Sequence, residues 1–414
     1  MSASSSREVF SSLDDYIVEK RKRSLRGRYY FGLIFFFINL LAWFVRDYAQ
    51  PFLSNSLHYL KACGIGGQDC FHTLGVLRVS LGCYIFFTIM FVSTVETRKL
   101  YEGRNSWHCG WWAFKFILLL LSFALSFFLP SQIVQIYEQG HCTYVAGEIA
   151  RVGAGIFLLL QLVSVIHFIT WWNKFWTPHE EIKNSCSVGL AISTIFHGAS
   201  LCGVVWMYTS YASRASCSLN IFFITWTAIL LAVIIAVSLH SKVNRGLLSS
   251  GIMALYIVFL CWTAIRSEPI IIRCSSTNQD KANHDWITII GFLIAIFAIV
   301  LATFSTGIDS KCFQFRKDDA KEEDDIPYKY GFFHLVFSLG AMYFAMLFIS
   351  WDLNNSPTKW SIDVGWLSTW VKVMNEWFAA SFYLWMLISP VVRQNKVTNN
   401  NESVQQTPAH STMV

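Results

Sequence analysis

The sequence predicts an all-α membrane protein with about ten transmembrane helices. Of its 414 residues, 54% are hydrophobic and only 14% are charged, and the mean hydropathy is +0.44. Soluble domains carry about 25% charged residues, so this chain lacks the charge to cover a water-facing surface. The composition therefore excludes a cytosolic enzyme and a disordered protein, and it leaves a polytopic protein with helices of about 20 apolar residues.

Ten apolar runs divide the hydrophobic part of the chain into pieces of membrane-spanning length. Proline breaks a helix interior, so it should avoid the runs if they are helices. Seven of the eight prolines lie outside the runs, and Pro390 lies in the last turn of the tenth. The runs do not alternate apolar and polar residues, as transmembrane β-strands would. In order, they cover residues 29–45, 74–95, 111–129, 147–172, 188–208, 219–239, 247–265, 286–304, 331–351 and 366–392.

The distribution of Lys and Arg predicts the orientation and the domains. Segment 1–28 is rich in both, and placing it inside puts most of the 32 Lys and Arg residues on the same side. We therefore expect a cytoplasmic N-terminal segment over 1–28, a ten-helix domain over 29–392 with an acidic cytoplasmic loop over 307–330, and a disordered cytoplasmic tail over 393–414. The polar start also predicts no cleavable signal peptide. The net charge of +6 then reflects this bias and anionic lipid, not nucleic acid.

Signals for covalent chemistry are few. Cys63 and Cys70 share one predicted outer loop and are candidates for a disulfide, because that compartment permits disulfides. The chain has no P-loop, dinucleotide fingerprint, H-E-x-x-H or G-x-S-x-G motif, and its His and Cys residues do not cluster at metal-ligand spacing. We therefore predict no catalytic residues, no metal and no cofactor, and a protein that is not an ordinary enzyme.

Polar residues inside the apolar runs are the candidate functional residues, because a charge at the bilayer centre costs about 2.5–3.5 kcal/mol. Arg78 and Lys115 lie near the ends of their runs, where both can snorkel to the headgroups; the alternative for Arg78 is a wet groove that meets lipid phosphate. Lys372 and Glu376 are spaced i,i+4. Glu376 is deep if the tenth helix begins near Trp366 and interfacial if it begins near Glu376, and the surrounding tryptophans favour the interface.

The fourth run combines length with several polar residues. Glu148 and Arg151 are one turn apart and can form an ion pair, and small residues every fourth position let another helix approach closely. Gln161, Ser164 and His167 follow around the same helix. Two interpretations stay open, a packed helix whose polar groups bond to neighbouring helices and a helix that lines a polar path. His167 is either structural or titrates near neutral pH.

Several stretches resemble the serine incorporator (Serinc) family of eukaryotic membrane proteins. The strongest covers 238–269, with RGLLSS, ALY and CWTAIRSEP, and the second covers 328–390, with YKYGFFHLVFSLGAMYF, ISWD, WVKVMNEW and YLWMLISP in order. RNSWHCGWWAFKF and QLVSVIHFITWWNKFW are weaker matches. The chain departs from the family pattern at His167, where relatives commonly have an acidic residue, and at Ser350, where they tend to have Asn. A mechanism that relies on a carboxylate at the first position would not transfer.

The resemblance implies two helical subdomains bridged by a long diagonal helix, a role that the fourth run fits. It also implies serine incorporation into phosphatidylserine and sphingolipids, or movement of phospholipids between leaflets. Expected partners are phospholipids, sphingolipids, serine or lipid-synthesis enzymes, in the endoplasmic reticulum, Golgi or plasma membrane. The alternatives are a secondary transporter of a small polar solute such as serine, and a membrane-embedded lipid synthase. Candidate residues that line or support a lipid path are Arg78, Glu148, Arg151, Gln161, Ser164 and His167.

Overall fold

The computed structural model describes eleven helices and one short hairpin. The described residues are 2–48, 67–129, 136–138, 141–143, 145–176, 183–214, 217–240, 247–269, 286–308, 326–353 and 361–405. The helices are α1 (Ser2–Asp47), α2 (Gly67–Thr94), α3 (Gly103–Cys109), α4 (Trp112–Phe128), α5 (Val145–Trp176), α6 (Lys183–Tyr211), α7 (Ser218–Leu239), α8 (Leu247–Arg266), α9 (Trp286–Ile308), α10 (Tyr330–Phe348) and α11 (Trp366–Gln405). Strands β1 (Ile136–Glu138) and β2 (His141–Thr143) pair antiparallel, with Tyr137 opposite Cys142.

Each of the ten predicted runs lies in a helix, to within a few residues at its ends. In the described part of the chain, eight helices are long and apolar enough to cross a membrane, or up to nine if α3 and α4, which meet at 73°, form one broken span. The tenth run is the first part of α11. The prediction of an all-α polytopic protein is therefore confirmed, and the hairpin adds only a few residues of β structure.

Helix α11 begins where the tenth run begins and extends beyond the end of that run. It begins at Trp366, so Glu376 lies ten residues inside the helix with 1% of its surface exposed. Of the two alternatives for Glu376, this helix start favours the deep one. The helix also continues to Gln405, where the sequence predicts a disordered tail from residue 393. The segment 309–325 of the predicted acidic loop lies outside the described residues.

The chain divides into two compact units, as the expected subdomains require. Unit 1 comprises Met1–Ser164 and Lys281–Ser368, and unit 2 comprises Val165–Asp280 and Thr369–Val414. One division falls inside α5, so this helix contributes residues to both units. A helix shared in this way fits the bridging role predicted for the fourth run.

Aromatic side chains form the core of unit 1. Phe35, Phe87, Phe333 and Phe337, from α1, α2 and α10, are each 0% exposed. The ring centroids of Phe333 and Phe337 are 4.5 Å apart, and those of Phe35 and Phe337 are 4.9 Å apart. Such pairs contribute about 0.5–1.5 kcal/mol each beyond the area that they bury. This core fixes α10 as the central helix of the unit.

Polar contacts at both ends of unit 1 set the directions of its helices. The hydroxyls of Ser24 and Tyr330 are 2.6 Å apart, and Arg46 Nη1 donates to the carbonyl of Phe348 at 2.8 Å. Both pairs join α1 to α10, so these two helices run parallel. The first and ninth predicted spans therefore point the same way, as alternating passes through a membrane require.

Helix α8 is the central helix of unit 2. Met253, Ile257 and Cys261 on it are 0% exposed. Ser249 Oγ lies 3.0 Å from the Tyr383 hydroxyl of α11, and Ser193 Oγ of α6 donates to the Leu247 carbonyl at 2.7 Å. Apolar burial and a few interhelical hydrogen bonds therefore hold this unit together, as is usual for helices in lipid.

Gly331 provides a test of how closely α10 approaches the residue after α2, Val95. A Cβ atom there would lie 2.6 Å from Val95 Cα, which is backbone and cannot rotate away, whereas a Cβ at Gly155 of α5 meets nothing within 4 Å. We expect Gly331→Ala to destabilise the protein by about 1–3 kcal/mol, because overpacking forces the backbone to shift. The measurement is thermal unfolding of the detergent-purified protein, with Gly155→Ala as the matched control. Equal unfolding temperatures for the two variants would contradict the close approach.

Candidate functional site

A cavity of about 540 Å³ lies between α2, α5 and α10 of unit 1. Volumes of 300–1,000 Å³ are typical of small-molecule sites. On α5 the cavity extends from Glu148 to Ile156, about 12 Å at 1.5 Å per residue. Most of its lining is apolar, and Tyr84, Thr88, Ser338 and Glu148 supply the polar side chains. The apolar lining is formed by Phe91, Ile149, Val152, Ile156, Leu335, Leu339 and Met342, with Gly153 among them.

The ion pair expected on the fourth run forms at one end of this cavity. Arg151 Nη1 lies 2.6 Å from Glu148 Oε1, and Arg151 Nη2 donates to the carbonyl of Trp351 at 2.8 Å. Ser350 and Trp351 have φ of 55° and 61°, in the left-handed region that non-glycine residues rarely adopt. Arg151 therefore ties α5 to the tight turn after α10 as well as pairing with Glu148.

Arg78 neither snorkels nor lines a groove, contrary to both interpretations of its sequence position. Its side chain is 0% exposed. Nη1 lies 2.5 Å from the Ser126 carbonyl, 3.1 Å from that of Phe127 and 3.0 Å from that of Leu129. These carbonyls belong to the last turn of α4 and to its C-cap residue, Leu129, and they have no partner within the helix. A cation there is also favoured by the helix dipole. Arg78 is thus a support residue for α4.

Lys115 is likewise buried, although its position in the sequence predicts snorkelling. It is 1% exposed, and Nζ donates to the His108 carbonyl at 2.8 Å, one residue before the end of α3. Nζ also lies 4.2 Å from the ring centre of Trp112 and 5.0 Å from that of Phe31. The sharp bend between α3 and α4 brings the lysine back onto α3, so the ammonium finds cation–π partners and a carbonyl instead of water.

The other three candidates of the fourth run do not line the cavity. Gln161 is half-buried and Ser164 is buried, both in unit 1, whereas His167 is exposed and belongs to unit 2. Ala150 and Ala154, from the repeat of small residues, are 5% and 0% exposed. Their burial agrees with close helix packing on this face. The structure therefore joins Glu148 and Arg151, and neither Arg78 nor these three residues line the cavity.

A buried polar cluster was missed by sequence reasoning. The His108 and His334 rings are joined by a contact of 3.0 Å between Nδ1 and Nε2, and His108 Nε2 lies 2.8 Å from the Tyr328 hydroxyl. The Tyr330 ring stacks on His108 at 3.9 Å. Burial raises the pKa of the Tyr328 phenol well above its usual value, so this hydroxyl keeps its proton. The residues come from RNSWHC and YKYGFFH, which are far apart in the chain, so their spacing in the sequence does not predict that they meet.

The structure describes five cysteine side chains, and none of them lines the cavity. Cys63 lies outside the described residues, as does the side chain of Cys70, and their predicted disulfide stays a prediction. Cys217 is disulfide-bonded, whereas Cys83, Cys109, Cys202 and Cys261 are free. Among the described side chains, no group of three His, Cys, Asp or Glu residues is placed to hold a metal ion.

Comparison with known proteins gives the family. The family model described as serine incorporator (Serinc) matches residues 6–320 and 309–396. The chain belongs to the serine incorporator family. It is 25% identical to serine incorporator 3 of Bos taurus, over 78% of this chain and 79% of that protein. It is also 27% identical to a probable serine incorporator of Dictyostelium discoideum, over 92% of this chain and 97% of that protein.

Family membership agrees with the architecture. Serine incorporator 5 of Danio rerio is 25% identical over 83% of this chain and 84% of its own length, so the similarity covers both units. Together with the long apolar helices, this makes the chain an integral multi-pass membrane protein. The two strongest sequence resemblances, at 238–269 and 328–390, lie inside the matched residues.

The contacts of Arg151 predict unequal effects when the two partners of the ion pair are replaced. The side chains of Arg151 and Glu148 are 32% and 49% exposed, so the pair itself contributes at most about 1 kcal/mol. The bond from Arg151 to the Trp351 carbonyl adds about 1.5–3 kcal/mol, as for other hydrogen bonds of charged groups. We expect Arg151→Gln to lower the unfolding temperature in detergent clearly more than Glu148→Gln does. Equal losses would indicate that the Trp351 contact contributes nothing.

Proposed function

We propose that this serine incorporator is a lipid-handling protein that binds a phospholipid at the α2/α5/α10 cavity and moves phospholipids between leaflets. The observation that carries the proposal is the combination of an apolar cavity with the Glu148–Arg151 pair at one end. An acyl chain fits the apolar lining. The ammonium and the phosphate of a phospholipid headgroup, phosphatidylserine included, are matched by a carboxylate and a guanidinium one helical turn apart.

Movement of lipid needs no covalent step, which agrees with a sequence that has no catalytic motif. A helix that offers polar groups to a headgroup, while the tails stay in apolar surroundings, lowers the cost of carrying charge through hydrocarbon. We further propose that the protein promotes serine incorporation into phosphatidylserine and sphingolipids by handling these lipids. The relatives' names, serine incorporator 3 and 5, support this extension.

The alternative function is a secondary transporter of a small polar solute such as serine. A polar solute would need a site with convergent hydrogen-bond partners, whereas the lining of this cavity is mainly apolar. The lipid proposal is therefore preferred.

We also propose that the N-terminus is cytoplasmic. This orientation places Cys217, between α6 and α7, on the outer face. A disulfide at Cys217 supports that placement, since the lumen and the cell exterior permit disulfides and the cytosol does not. The proposed location is the endoplasmic reticulum, the Golgi or the plasma membrane.

Filling the cavity tests the proposed lipid movement. Val152 lines the cavity and is 67% exposed, and Ile195 of α6 is equally exposed in unit 2, outside the lining. Purified protein is reconstituted into liposomes that carry fluorescent phosphatidylserine in both leaflets, and dithionite is added outside. We expect wild type and Ile195→Trp to lose more than the outer half of the fluorescence, and Val152→Trp to slow this loss several-fold.

Two outcomes would contradict the proposal. If dithionite quenches only the outer half with wild type, as in empty vesicles, the protein does not move phosphatidylserine between leaflets. If the two tryptophan variants behave alike, the cavity is not the lipid site. Uptake of radiolabelled serine into the same vesicles, without lipid movement, would favour the transporter instead.

A further inference from the structure

A buried acid lies inside unit 2. Glu376 is ten residues after the start of α11, about 15 Å along the helix at 1.5 Å per residue. It is 1% exposed, and Thr227 of α7 and Cys261 of α8 are both 0% exposed. An ionisable side chain that is buried among the helices of a membrane protein is expensive and usually functional, so its protonation state needs an account.

The hydrogen bonds of Thr227 indicate that state. Thr227 Oγ1 lies 2.8 Å from the carbonyl of Phe223 and 2.7 Å from Glu376 Oε1. A hydroxyl has one hydrogen, and a helical threonine commonly donates it to the carbonyl four residues earlier. When Thr227 donates to Phe223, a hydrogen on the carboxyl group of Glu376 completes the second short contact. If Glu376 were a carboxylate, its oxygen and the Phe223 carbonyl would compete for the single hydroxyl hydrogen of Thr227. If Glu376 is protonated, each of the two contacts has its own hydrogen.

The surroundings of Glu376 agree with a neutral carboxyl. From α7 it faces the Thr227 hydroxyl, and from α8 the thiol of Cys261, which is free. On its own helix, Lys372 lies one turn earlier, and its ammonium donates to Oγ of Ser267, the residue after α8. The nearest cation along α11 is thus held by the end of α8, and α7 and α8 offer Glu376 neutral groups.

We propose that Glu376 is a proton-binding site within unit 2, and that its proton selects between two sets of contacts among α7, α8 and α11. With the proton bound, Glu376 donates to Thr227 and Lys372 bonds to Ser267. When the O–H bond breaks, the electron pair stays on the carboxylate and the proton passes to water. The carboxylate then attracts Lys372, because i,i+4 spacing on a helix allows the two side chains to pair, and Lys372 leaves Ser267. The proposal does not depend on lipid movement by unit 1.

Infrared spectroscopy of the purified full-length protein in lipid tests the bound proton. We expect a carbonyl band of a protonated carboxylic acid at neutral pH, which shifts in D₂O and is lost in Glu376→Gln. Thr227→Val removes the hydrogen-bond partner and should move this band, whereas Thr227→Ser should leave it in place. Glu96→Gln, an exposed acid paired with Arg104, is the control that keeps the band. A wild-type spectrum without a band assignable to Glu376 would overturn the proposal.

A pH titration of the same band tests the exchange of partners. Lys372→Met removes the cation that stabilises the carboxylate, so the band should persist to higher pH than in wild type, while Lys372→Arg should titrate close to wild type. An unchanged midpoint in Lys372→Met would contradict the exchange. If Glu376→Gln does not fold, Glu376→Asp replaces it, and the band must then shift or weaken, since the shorter side chain moves away from Thr227.

Discussion

The carbonyl groups at helix ends are the constraint on which unit 1 depends. The last carbonyls of a helix have no partner within that helix, so a helix that ends against buried neighbours needs a donor from elsewhere. Arg46 supplies one to the end of α10, Arg78 supplies one to the end of α4, and Lys115 supplies one to the end of α3. Arg151 does the same for the turn after α10. Three of these cations are almost fully buried, where removal of one partner would leave an uncompensated charge or carbonyl.

The cations that donate to carbonyls at helix ends have structural roles, which leaves other charged side chains as candidates for function. Arg78 and Lys115 are occupied by carbonyls of neighbouring elements, so neither meets a ligand. Glu148 is different, because it lies at the end of an apolar cavity with half of its side chain exposed. Glu376 is different again, since its partner is a hydroxyl that already has an acceptor. Glu148 is therefore part of the proposed headgroup site in unit 1, and Glu376 is the proposed proton site in unit 2.

Sequence reasoning located the spans well and the polar side chains poorly. Runs of apolar residues are set by bilayer thickness, which is why all ten fall in helices. The break before α4 was missed because RNSWHCG contains no proline. Glu376 was expected at the membrane interface because tryptophans, which surround it in the sequence, usually mark an interface. The Glu148–Arg151 pair was predictable because both residues share one helix. The cavity, the His108–His334 contact and the partner of Glu376 each join helices distant in the chain, so no local pattern reports them.

Composition and hydropathy alone determined that this chain is a multi-pass helical membrane protein, because a chain with so few charges cannot form a water-facing surface. Motif order added the resemblance to the serine incorporator family, which the comparisons then established. Only the tertiary structure decided what each buried charge contacts. An Arg or Lys near a helix end can either snorkel to the headgroups or donate to the carbonyls at the end of a neighbouring helix, and its position in the sequence is the same in both cases. Whether Arg78 and Lys115 reach headgroups or carbonyls depends on where neighbouring helices stop, and that is set by packing between distant parts of the chain.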